Sequence, residues 1–357
     1  MIERLADYPD VNIVECDDVM SVLPRLVCSG NILLVTSKGF VKRGTVSRLL
    51  ESLGTDRVMV FDEVTPNPEK SHLQRASGDF AGKGIQQVIA LGGGSVIDAA
   101  KVFCGLLSYP NYSLDELLST DVVENRINLI AIPTTSGTGA EVTPFATVWQ
   151  SDIGKKYSLY GVRPNIAVLD SSLTNSLPEK QTLYPSLDAL SHAIESLWNI
   201  NSTEQSREYA LYAIDLICDN LPLVLNNPSD FLARKNLQIA SSAAGMAISI
   251  TKTAIAHAIS YPLTMQFNVP HGLACSFTIN SIINIFGAEQ LNLDSELASK
   301  VQGLLRSLNL PNEIESYVSW DILLSELTTP LDPSRAGKFI INFEKLNVQE
   351  ILLVAKA

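Results

Sequence analysis

The chain has 357 residues, of which 46% are hydrophobic and 18% charged, a balance typical of a globular protein long enough for two domains. The formal net charge of −12 argues against a nucleic-acid partner, because phosphate backbones are bound by clustered lysine and arginine side chains. No apolar run reaches membrane-spanning length, and five scattered cysteines without a C-x-x-C pair favour reduced thiols, so we predict a cytoplasmic protein with no membrane partner.

Short apolar runs alternate with helical patterns up to about residue 180. The runs that we interpret as strands are 31–37, 57–63, 86–95, 128–135 and 165–170. Helical periodicity occurs between them in segments such as VSRLLESLG (46–54) and SVIDAAKVFCGLL (95–107). Strands that alternate with helices predict a mostly parallel sheet covered by helices on both faces.

The pattern changes after Pro178. Apolar residues at helical spacing recur in SLDALSHAIESLW, REYALYAIDLICDNL, ARKNLQIASSAAGMAISI and QGLLRSLN, and strand signals fade. We therefore predict an α/β domain over residues 1–178 and an all-helical domain over residues 179–357.

Two polar turns follow predicted strands in the first domain. LGGGSVIDAAK (91–101) opens a helix, where glycines let a ligand approach the backbone, Ser95 can cap the helix, and free N–H groups attract phosphate. PTTSGTGAE (133–141) follows the next strand and offers hydroxyls. Either turn alone could be a plain tight turn, and neither is a G-x-G-x-x-G fingerprint or a P-loop. Together, at the carboxyl ends of parallel strands, they favour one nucleotide that crosses both.

Three of the four histidines lie in the predicted helical domain. Asp188 and His192 are four residues apart, so they share a helix face and could form an ion pair, a surface coincidence or half of a metal site. His257 and His271 could each be a core histidine with its own hydrogen-bond partners. Three such histidines with Asp188 favour one shared site instead. One carboxylate and three imidazoles, without thiolates, suit Fe(II) or Zn(II).

The motifs and their order along the chain resemble those of the iron-dependent (group III) alcohol dehydrogenase family. The resemblance rests on TPNP (65–68), GGGSVIDAAK (92–101), PTTSGTGAEVT (133–143), the lysine of KKYSL, DALSHAIE (188–195), AGMA (244–247), and HAISYP with PHG downstream. It implies a dinucleotide-binding α/β domain, a helical metal-binding domain, and hydride transfer between NAD(P)H and an aldehyde or alcohol.

The resemblance assigns roles to the residues that match the family motifs. The metal ligands would be Asp188, His192, His257 and His271, which would hold Fe(II) or Zn(II) as a Lewis acid. The residues that would border the coenzyme are Pro66, Asn67, Gly93, Gly94, Ser95, Asp98, Thr134, Thr135, Thr138 and Lys156.

Ser37 departs from the family pattern. It stands in VTSKG (35–39), where many NAD-preferring members have an aspartate that binds the ribose 2′-hydroxyl and repels a 2′-phosphate. Serine, with Lys38 and Lys42 nearby, removes that repulsion. We therefore expect NADPH to be accepted and favour it over NADH; the alternative is that Ser37 carries no such information and NAD is used.

Tyr261 is a second departure, because the family usually has a histidine there that is thought to relay a proton near the nicotinamide. A tyrosine is a poorer proton shuttle at neutral pH than an imidazole, although its hydroxyl can donate a hydrogen bond to the substrate. The alternative is a tyrosine that only packs at a helix end.

HAISYPLT resembles the branch of the family that includes phosphonoacetaldehyde reductases. Lys252, within two predicted turns of His257, would suit an anionic substrate, although on an ideal helix it lies off the His257 face and could simply reach solvent. We therefore favour reduction of phosphonoacetaldehyde to 2-hydroxyethylphosphonate.

Three other functions remain open at this point: a general short-chain alcohol dehydrogenase, a lyase resembling dehydroquinate synthase, and an inactive binding protein. The lyases normally have a Glu/His/His metal set, so the four ligands here favour a dehydrogenase. The family also implies a homodimer or a larger homo-oligomer.

Overall fold

The computed structural model describes residue 8 and residues 10–327, 331–342 and 346–356. It contains two compact units. The first unit comprises Met1–Thr135 and Ala140–Ser176, and the second comprises Ser136–Gly139 and Leu177–Ala357.

The first unit contains a six-stranded parallel sheet and a separate antiparallel hairpin. The sheet strands are β1 (Asn12–Cys16), β2 (Asn31–Val35), β3 (Val58–Phe61), β4 (Ile85–Gly92), β5 (Asn128–Pro133) and β8 (Ile166–Asp170), in the order β1-β8-β5-β4-β2-β3. The hairpin joins β6 (Phe145–Gln150) to β7 (Lys155–Tyr160). The predicted α/β class is therefore confirmed.

Alternating side chains on the central strands supply two separate cores. Leu33 and Val88 join one buried cluster, whereas their neighbours Leu34 and Ile89 join the other. Because successive side chains of a strand point to opposite faces, this division shows that both faces of the sheet are covered. The helices of this unit are α1 (Val19–Val22), α2 (Lys38–Lys42), α3 (Thr45–Leu53), α4 (Lys70–Phe80), α5 (Gly94–Ser108) and α6 (Leu114–Leu118).

All five predicted strands are present, but β1 and the β6–β7 hairpin were not predicted. β1, with the sequence NIVEC, lies at the edge of the sheet and is only partly buried, so its polar residues hide the apolar pattern of a central strand. The hairpin is a two-stranded ribbon outside the main sheet, with aromatic and lysine residues in its strands. The alternation of strands and helices predicts only the strands of the main sheet, so it gave no indication of the hairpin.

The second unit is helical throughout its described residues, apart from one isolated bridge between Asn199 and Phe339. Its helices are α7 (Glu179–Leu197), α8 (Glu204–Asn226), α9 (Phe231–Thr251), α10 (Ile255–Phe267), α11 (His271–Ser276), α12 (Ile279–Phe286), α13 (Ser295–Ser307), α14 (Leu310–Glu315), α15 (Trp320–Glu326), α16 (Pro333–Ala336) and α17 (Val348–Lys356). Residues 186–197 of α7 are buried on every side, which explains why its apolar stripe is flanked by small side chains such as Ser191 and Ala193.

A sharp break separates α9 from α10. Lys252 ends α9 with φ 61° and ψ 177°, a left-handed region that is normally reserved for glycine, and the two helices meet at 107°. The expectation that placed Lys252 on one continuous helix with His257 is therefore wrong, because the chain turns between them. Within the described residues, no single helix has the length and apolar character to cross a membrane; α9 and α10 pass that test only as a bent pair.

Lys101 is an ionisable side chain buried within the first unit. It is fully buried on α5, and its Nζ donates to the Thr143 carbonyl at 2.8 Å, the Thr143 hydroxyl at 3.2 Å and the Phe145 carbonyl at 2.6 Å. Burial lowers the pKa of this lysine to about 8, against the opposing charges of Asp98 and Glu141. The ammonium thus fixes the chain where it enters the hairpin.

We expect Lys101→Met to lower the free energy of unfolding by about 3 kcal/mol, because it leaves buried carbonyls without a donor. Urea unfolding measures this change. Lys83→Met, at an exposed lysine of the same unit, is the control and should stay within about 0.5 kcal/mol of the parent. Equal stabilities of the two variants would contradict a structural role for Lys101.

Candidate metal centre and coenzyme turns

Three helices of the second unit bring four predicted ligands together. Asp188 and His192 lie one turn apart on α7, His257 lies in α10, and His271 is the first residue of α11. The Nε2 atoms of His192, His257 and His271 lie 3.6, 3.5 and 3.8 Å from Asp188 Oδ1. Donors on one tetrahedral zinc ion are about 3.3–3.6 Å apart, so this spacing suits a common metal ion.

Gly272 permits this convergence. A Cβ atom at this position would lie 1.8 Å from the Tyr184 carbonyl oxygen and 3.1 Å from the Asp188 nitrogen, both in the backbone of α7. Only glycine therefore lets α11 approach α7 closely enough to place His271 beside Asp188. In the PHG motif, Gly272 is therefore required by helix packing, whereas His271 is the predicted metal ligand.

Buried polar atoms at the centre of the cluster lack partners. Asp188 and His257 are 5% and 3% exposed, yet Asp188 Oδ1 and His257 Nε2 have no hydrogen bond. Leaving such atoms unpaired costs about 1–3 kcal/mol each, and more when the group is charged. Their convergence on one point is what a bound cation would explain, so the residues fit a divalent metal.

The electrostatics of the cluster keep two of the donors, Asp188 and His192, in their metal-binding forms. Burial opposes ionisation of Asp188, but the three histidines outweigh it and hold the pKa of the carboxyl well below its usual range. Burial lowers the pKa of His192, against the opposing charge of Asp188, and so favours the neutral imidazole. Metals bind ionised carboxylates and neutral imidazoles.

Glu195 is a functional candidate that the sequence interpretation missed. It is fully buried on α7, and its Oε2 lies 2.6 Å from His257 Nδ1. Its carboxylate also accepts from the backbone nitrogens of Ala254 at 2.9 Å, Ala256 at 2.5 Å and His257 at 3.2 Å. One side chain therefore caps the first turn of α10 and orients the histidine, the arrangement that fixes the tautomer of metal-binding imidazoles. Its position three residues after His192, on the same face of the helix, could have identified it from the sequence.

Cys275 is a thiol that the predicted ligand set, one carboxylate and three imidazoles, did not include. Its Sγ is buried 3.6 Å from His271 Nε2, and ligand atoms of Asp188, His257, His271 and Cys275 all lie within 4.8 Å of one another. This set replaces His192 with a thiol. We favour His192 as the ligand because its Nε2 is as close to Asp188 as those of the other histidines, and burial raises the pKa of the Cys275 thiol.

The two other predicted catalytic residues lie in the same unit. Tyr261 is half-buried on α10, one turn beyond His257, and the guanidinium carbon of Arg335 lies 5.9 Å from its ring centre. Lys252 is exposed at the break before α10, and its carbonyl accepts from Asn199 Nδ2 at 3.1 Å. Neither residue belongs to the ligand cluster itself.

The two polar turns meet at the carboxyl ends of β4 and β5. Gly92 pairs with Pro133, and a Cβ on Gly93 would lie 3.1 Å from the Thr135 hydroxyl. Gly94 starts the 15-residue helix α5, so its first free N–H groups face this edge of the sheet. Thr134 is buried beside Gly92, to whose carbonyl its nitrogen donates at 3.1 Å. The turns can therefore present adjacent groups to one phosphate-bearing ligand.

Ser95 does not cap α5 as expected. The N-cap residue is Gly93, which has no side chain to accept a hydrogen bond, and Ser95 lies within the first turn. The physical reason is that the helix begins earlier than predicted, inside the glycine run. The Ser95 hydroxyl is partly exposed and stays a candidate for a phosphate oxygen.

Asp98 and Lys156 connect α5 to the hairpin. Asp98 Oδ2 accepts from the Thr147 nitrogen at 3.0 Å, and the Nζ of Lys156 lies 5.3 Å from the Trp149 ring centre. Burial raises the pKa of Asp98, against the opposing charges of Lys101 and Lys156. Both residues thus have structural partners in addition to the coenzyme role predicted for them.

The remaining predicted coenzyme residues lie on exposed or half-exposed loops. Ser37 is half-buried at the start of α2, Pro66 and Asn67 are exposed before α4, and Asn67 has a φ of 57°. Thr138 is exposed in the short stretch Ser136–Gly139 that belongs to the second unit. Their roles toward a coenzyme stay predictions.

We expect Glu195→Gln to weaken metal binding roughly tenfold to a hundredfold. The neutral amide lacks the negative charge of the carboxylate and no longer fixes the tautomer of the His257 ring. Competition with a chromogenic chelator measures the affinity for Zn(II) or Co(II). Ser191→Ala, a buried change on the same helix, is the control and should leave the affinity unaltered. An unchanged affinity in Glu195→Gln would remove Glu195 from the site.

His192→Ala and Cys275→Ala distinguish the two possible ligand sets. His192→Ala should weaken metal binding at least about a hundredfold, which is more than the loss of a residue such as Glu195 that contacts a ligand and not the metal. Loss of Cys275 should cost less than about threefold. In the Co(II) protein, a thiolate-to-metal absorption band that disappears in Cys275→Ala would show the opposite assignment.

Comparisons with known proteins agree with this geometry. Residues 12–171 match the family described as iron-containing alcohol dehydrogenase, and residues 182–317 match the C-terminal domain of the same family. Members of this family use iron and NAD(P)H. The chain is 37% identical over 202 residues to a probable alcohol dehydrogenase, EutG, of Escherichia coli, covering 56% of this chain and 51% of that protein.

Two further relatives act on small anionic aldehydes, according to their names. The phosphonoacetaldehyde reductase of Streptomyces viridochromogenes is 34% identical over 260 residues, 70% of this chain and 65% of that protein. The crystal structure of sulfoacetaldehyde reductase from Bifidobacterium kashiwanohense in complex with NAD+ has a TM-score of 0.83 at 25% identity, covering 97% of this chain and 96% of that one.

The curated relatives are longer than the part of them that matches, and the chain spans about half of the length of EutG and 39% of a bifunctional aldehyde-alcohol dehydrogenase. Solved structures of the family are matched almost from end to end. Both family matches, the two-unit fold and the Asp/His cluster lead to one conclusion: the chain belongs to the iron-containing alcohol dehydrogenase family.

Proposed function

We propose that this chain is a metal-dependent oxidoreductase that interconverts an aldehyde and a primary alcohol by hydride transfer with NADPH or NADH. The observation that carries the proposal is the buried Asp188 carboxylate, whose Oδ1 has no hydrogen bond while three imidazole nitrogens lie 3.5–3.8 Å away. Membership of the iron-containing alcohol dehydrogenase family supports the same reaction class.

The metal would be held by Asp188, His192, His257 and His271, with Fe(II) the first candidate and Zn(II) the second. When bound, it supplies Lewis-acid polarisation of the substrate carbonyl. Glu195 holds Nδ1 of His257, so that Nε2 is presented toward Asp188. No side chain of the cluster needs to act as a nucleophile.

Tyr261 would act on the substrate oxygen rather than on the metal. It lies one helical turn beyond His257, so the two side chains share a face of α10. Its hydroxyl can donate a hydrogen bond to the carbonyl oxygen and help to deliver the proton that the alcohol product requires.

The nucleotide would lie along the turns that follow β4 and β5. Gly93, Gly94 and Ser95 would receive the pyrophosphate at the N-terminus of α5, with Thr134 and Thr135 on the adjacent turn. Ser37 and Lys38 support acceptance of NADPH, because no carboxylate occupies position 37. Lys38 is also within 3.8 Å of Glu63, which reduces its charge toward a 2′-phosphate.

Phosphonoacetaldehyde is the substrate that we propose, with 2-hydroxyethylphosphonate as the product. The phosphonoacetaldehyde reductase described above is 34% identical, and a structural neighbour is a sulfoacetaldehyde reductase. Lys252, exposed at the break before α10, supports an anionic substrate.

A general alcohol dehydrogenase is the second candidate. The observation in its favour is the probable alcohol dehydrogenase EutG, which is 37% identical over the region that it shares with this chain. It differs from the first candidate only in substrate, so both share the proposed metal centre and coenzyme turns.

We also propose a cytoplasmic location and assembly as a homodimer or larger homo-oligomer. None of the five cysteines forms a disulfide, which supports a reducing compartment.

The test is a panel of aldehydes with the Fe(II)-loaded and Zn(II)-loaded protein, each with NADPH and with NADH. We expect coenzyme oxidation with phosphonoacetaldehyde at a kcat/KM at least about tenfold above that for propanal, and a lower KM for NADPH. His271→Ala is the inactive control. Equal rates with both aldehydes would favour the general dehydrogenase, and no coenzyme oxidation with any aldehyde would refute the proposed reaction.

A further inference from the structure

Three cationic residues of the second unit lie near one another, and one of them, Arg335, lies beside Tyr261. Lys252 is at the end of α9, Arg335 is in α16, and Lys338 follows α16 by two residues. We call these three residues the basic cluster. The chain as a whole is acidic, with 38 Asp and Glu against 26 Lys and Arg, so local clustering of cations is not a consequence of composition.

Arg335 connects this cluster to the helix of the metal site. Helix α16 packs on α10, and the Arg335 guanidinium carbon lies 5.9 Å from the centre of the Tyr261 ring. Tyr261 follows His257 by one turn on the same helix face. A small molecule that contacts both His257 and Arg335 would therefore pass along Tyr261.

Hydrogen bonds to their carbonyls hold the two lysines beside one short segment, residues 199 and 200. The side chain of Asn199 donates to the Lys252 carbonyl at 3.1 Å, and the nitrogen of the next residue, Ile200, donates to the Lys338 carbonyl at 2.9 Å. Asn199 also bridges to Phe339. Lys252 and Lys338, 86 positions apart in the chain, are thus tied to two adjacent residues, Asn199 and Ile200.

The charges confirm the proximity that the backbone implies. Burial lowers the pKa of Lys338, and the nearby Lys252 and Arg335 lower it further, while Asp332 acts in the opposite direction. Asp332 is half-exposed and lies 3.9 Å from Arg335 Nε, beyond hydrogen-bond distance. Three neighbouring cations would attract a dianion such as a phosphonate.

Lys252 is held in a conformation that disfavours every residue except glycine. Its φ of 61° and ψ of 177° place it in a region that lysine rarely adopts, and the break between α9 and α10 imposes this geometry. Glycine would fit here without strain, yet the chain has a long cationic side chain. A strained residue that persists where glycine would be easier points to a role for its side chain.

We propose that the basic cluster binds the anionic group of the substrate, a phosphonate or similar tetrahedral oxyanion two bonds from the aldehyde carbon. Arg335 donates two hydrogen bonds to the oxyanion from its planar guanidinium, and Lys252 and Lys338 neutralise the remaining charge. The cluster thereby selects charged aldehydes over alkanals. This inference rests on the proposed function, because it assigns the substrate class of the same site.

Steady-state kinetics of the metal-loaded enzyme at saturating coenzyme test the inference. The substrates are phosphonoacetaldehyde, the monoanion sulfoacetaldehyde and uncharged propanal. We expect Arg335→Ala to raise KM for phosphonoacetaldehyde roughly tenfold to a hundredfold, to raise KM for sulfoacetaldehyde less, and to change kcat/KM for propanal by less than about twofold. Arg335→Lys should recover part of the loss. Arg306→Ala, at an exposed arginine of α13, is the charge-matched control.

Equal losses on all three substrates, or no loss on any, would overturn the inference. A binding measurement separates this failure from failure of the proposed function. If the parent protein reduces no aldehyde, calorimetry with 2-hydroxyethylphosphonate still decides: binding that Arg335→Ala abolishes supports the anion site, and absence of binding to the parent overturns it.

Lys252 offers a second readout that a purely structural lysine would not give. Lys252→Gly removes both the backbone strain and the charge, whereas Lys252→Ala removes only the charge. We expect both variants to raise KM for phosphonoacetaldehyde by about the same factor, roughly tenfold, and the glycine variant to melt at a higher temperature than the alanine variant. An unchanged KM in both variants would exclude Lys252 from the anion site.

Discussion

A single buried carboxylate organises the second unit. Asp188 lies inside α7, out of contact with water, where an isolated charge would be very costly. Three imidazoles surround its Oδ1: His192 comes from the next turn of the same helix, and His257 and His271 come from helices that the fold must bring to it. The close approach at Gly272, the break before α10 and the capping by Glu195 all serve to keep His257 and His271 within reach of this one oxygen.

The break at Lys252 links the fold to the chemistry. Because α9 ends there and the chain bends by 107°, the N-terminus of α10 points its free N–H groups at Glu195, which is already fixed on α7. The same carboxylate then holds His257. A strained residue, a helix start and a histidine predicted to bind the metal thus depend on one another, and the strained residue belongs to the proposed anion site.

The first unit is expected to bind an anionic coenzyme although the protein is acidic. The net charge of the whole chain does not attract an anion, so the attraction must come from local dipoles. Parallel strands carry the turns after β4 and β5 to one edge of the sheet, and α5 begins inside the glycine run with its N–H groups unpaired. In the second unit, the proposed anion site likewise depends on local positive charge, but the charge comes from the side chains of the basic cluster and the anion is smaller.

Many features of this protein could be predicted from patterns among residues that are close together in the sequence. Alternation along β2 and β4, the glycine run before α5, and the four-residue spacing of Asp188 and His192 are local, so the α/β class, the phosphate turn and half of the metal cluster could be predicted. The small number of histidines and their context favoured His257 and His271 for the same site, and the family resemblance assigned all four as ligands. The tertiary structure alone decided the roles of Glu195, Cys275, Arg335 and Lys338 and the strain at Lys252. Most of these depend on contacts between side chains more than 60 residues apart, such as Glu195 with His257 and Tyr261 with Arg335, and local periodicity carries no information about which side chains such packing brings together.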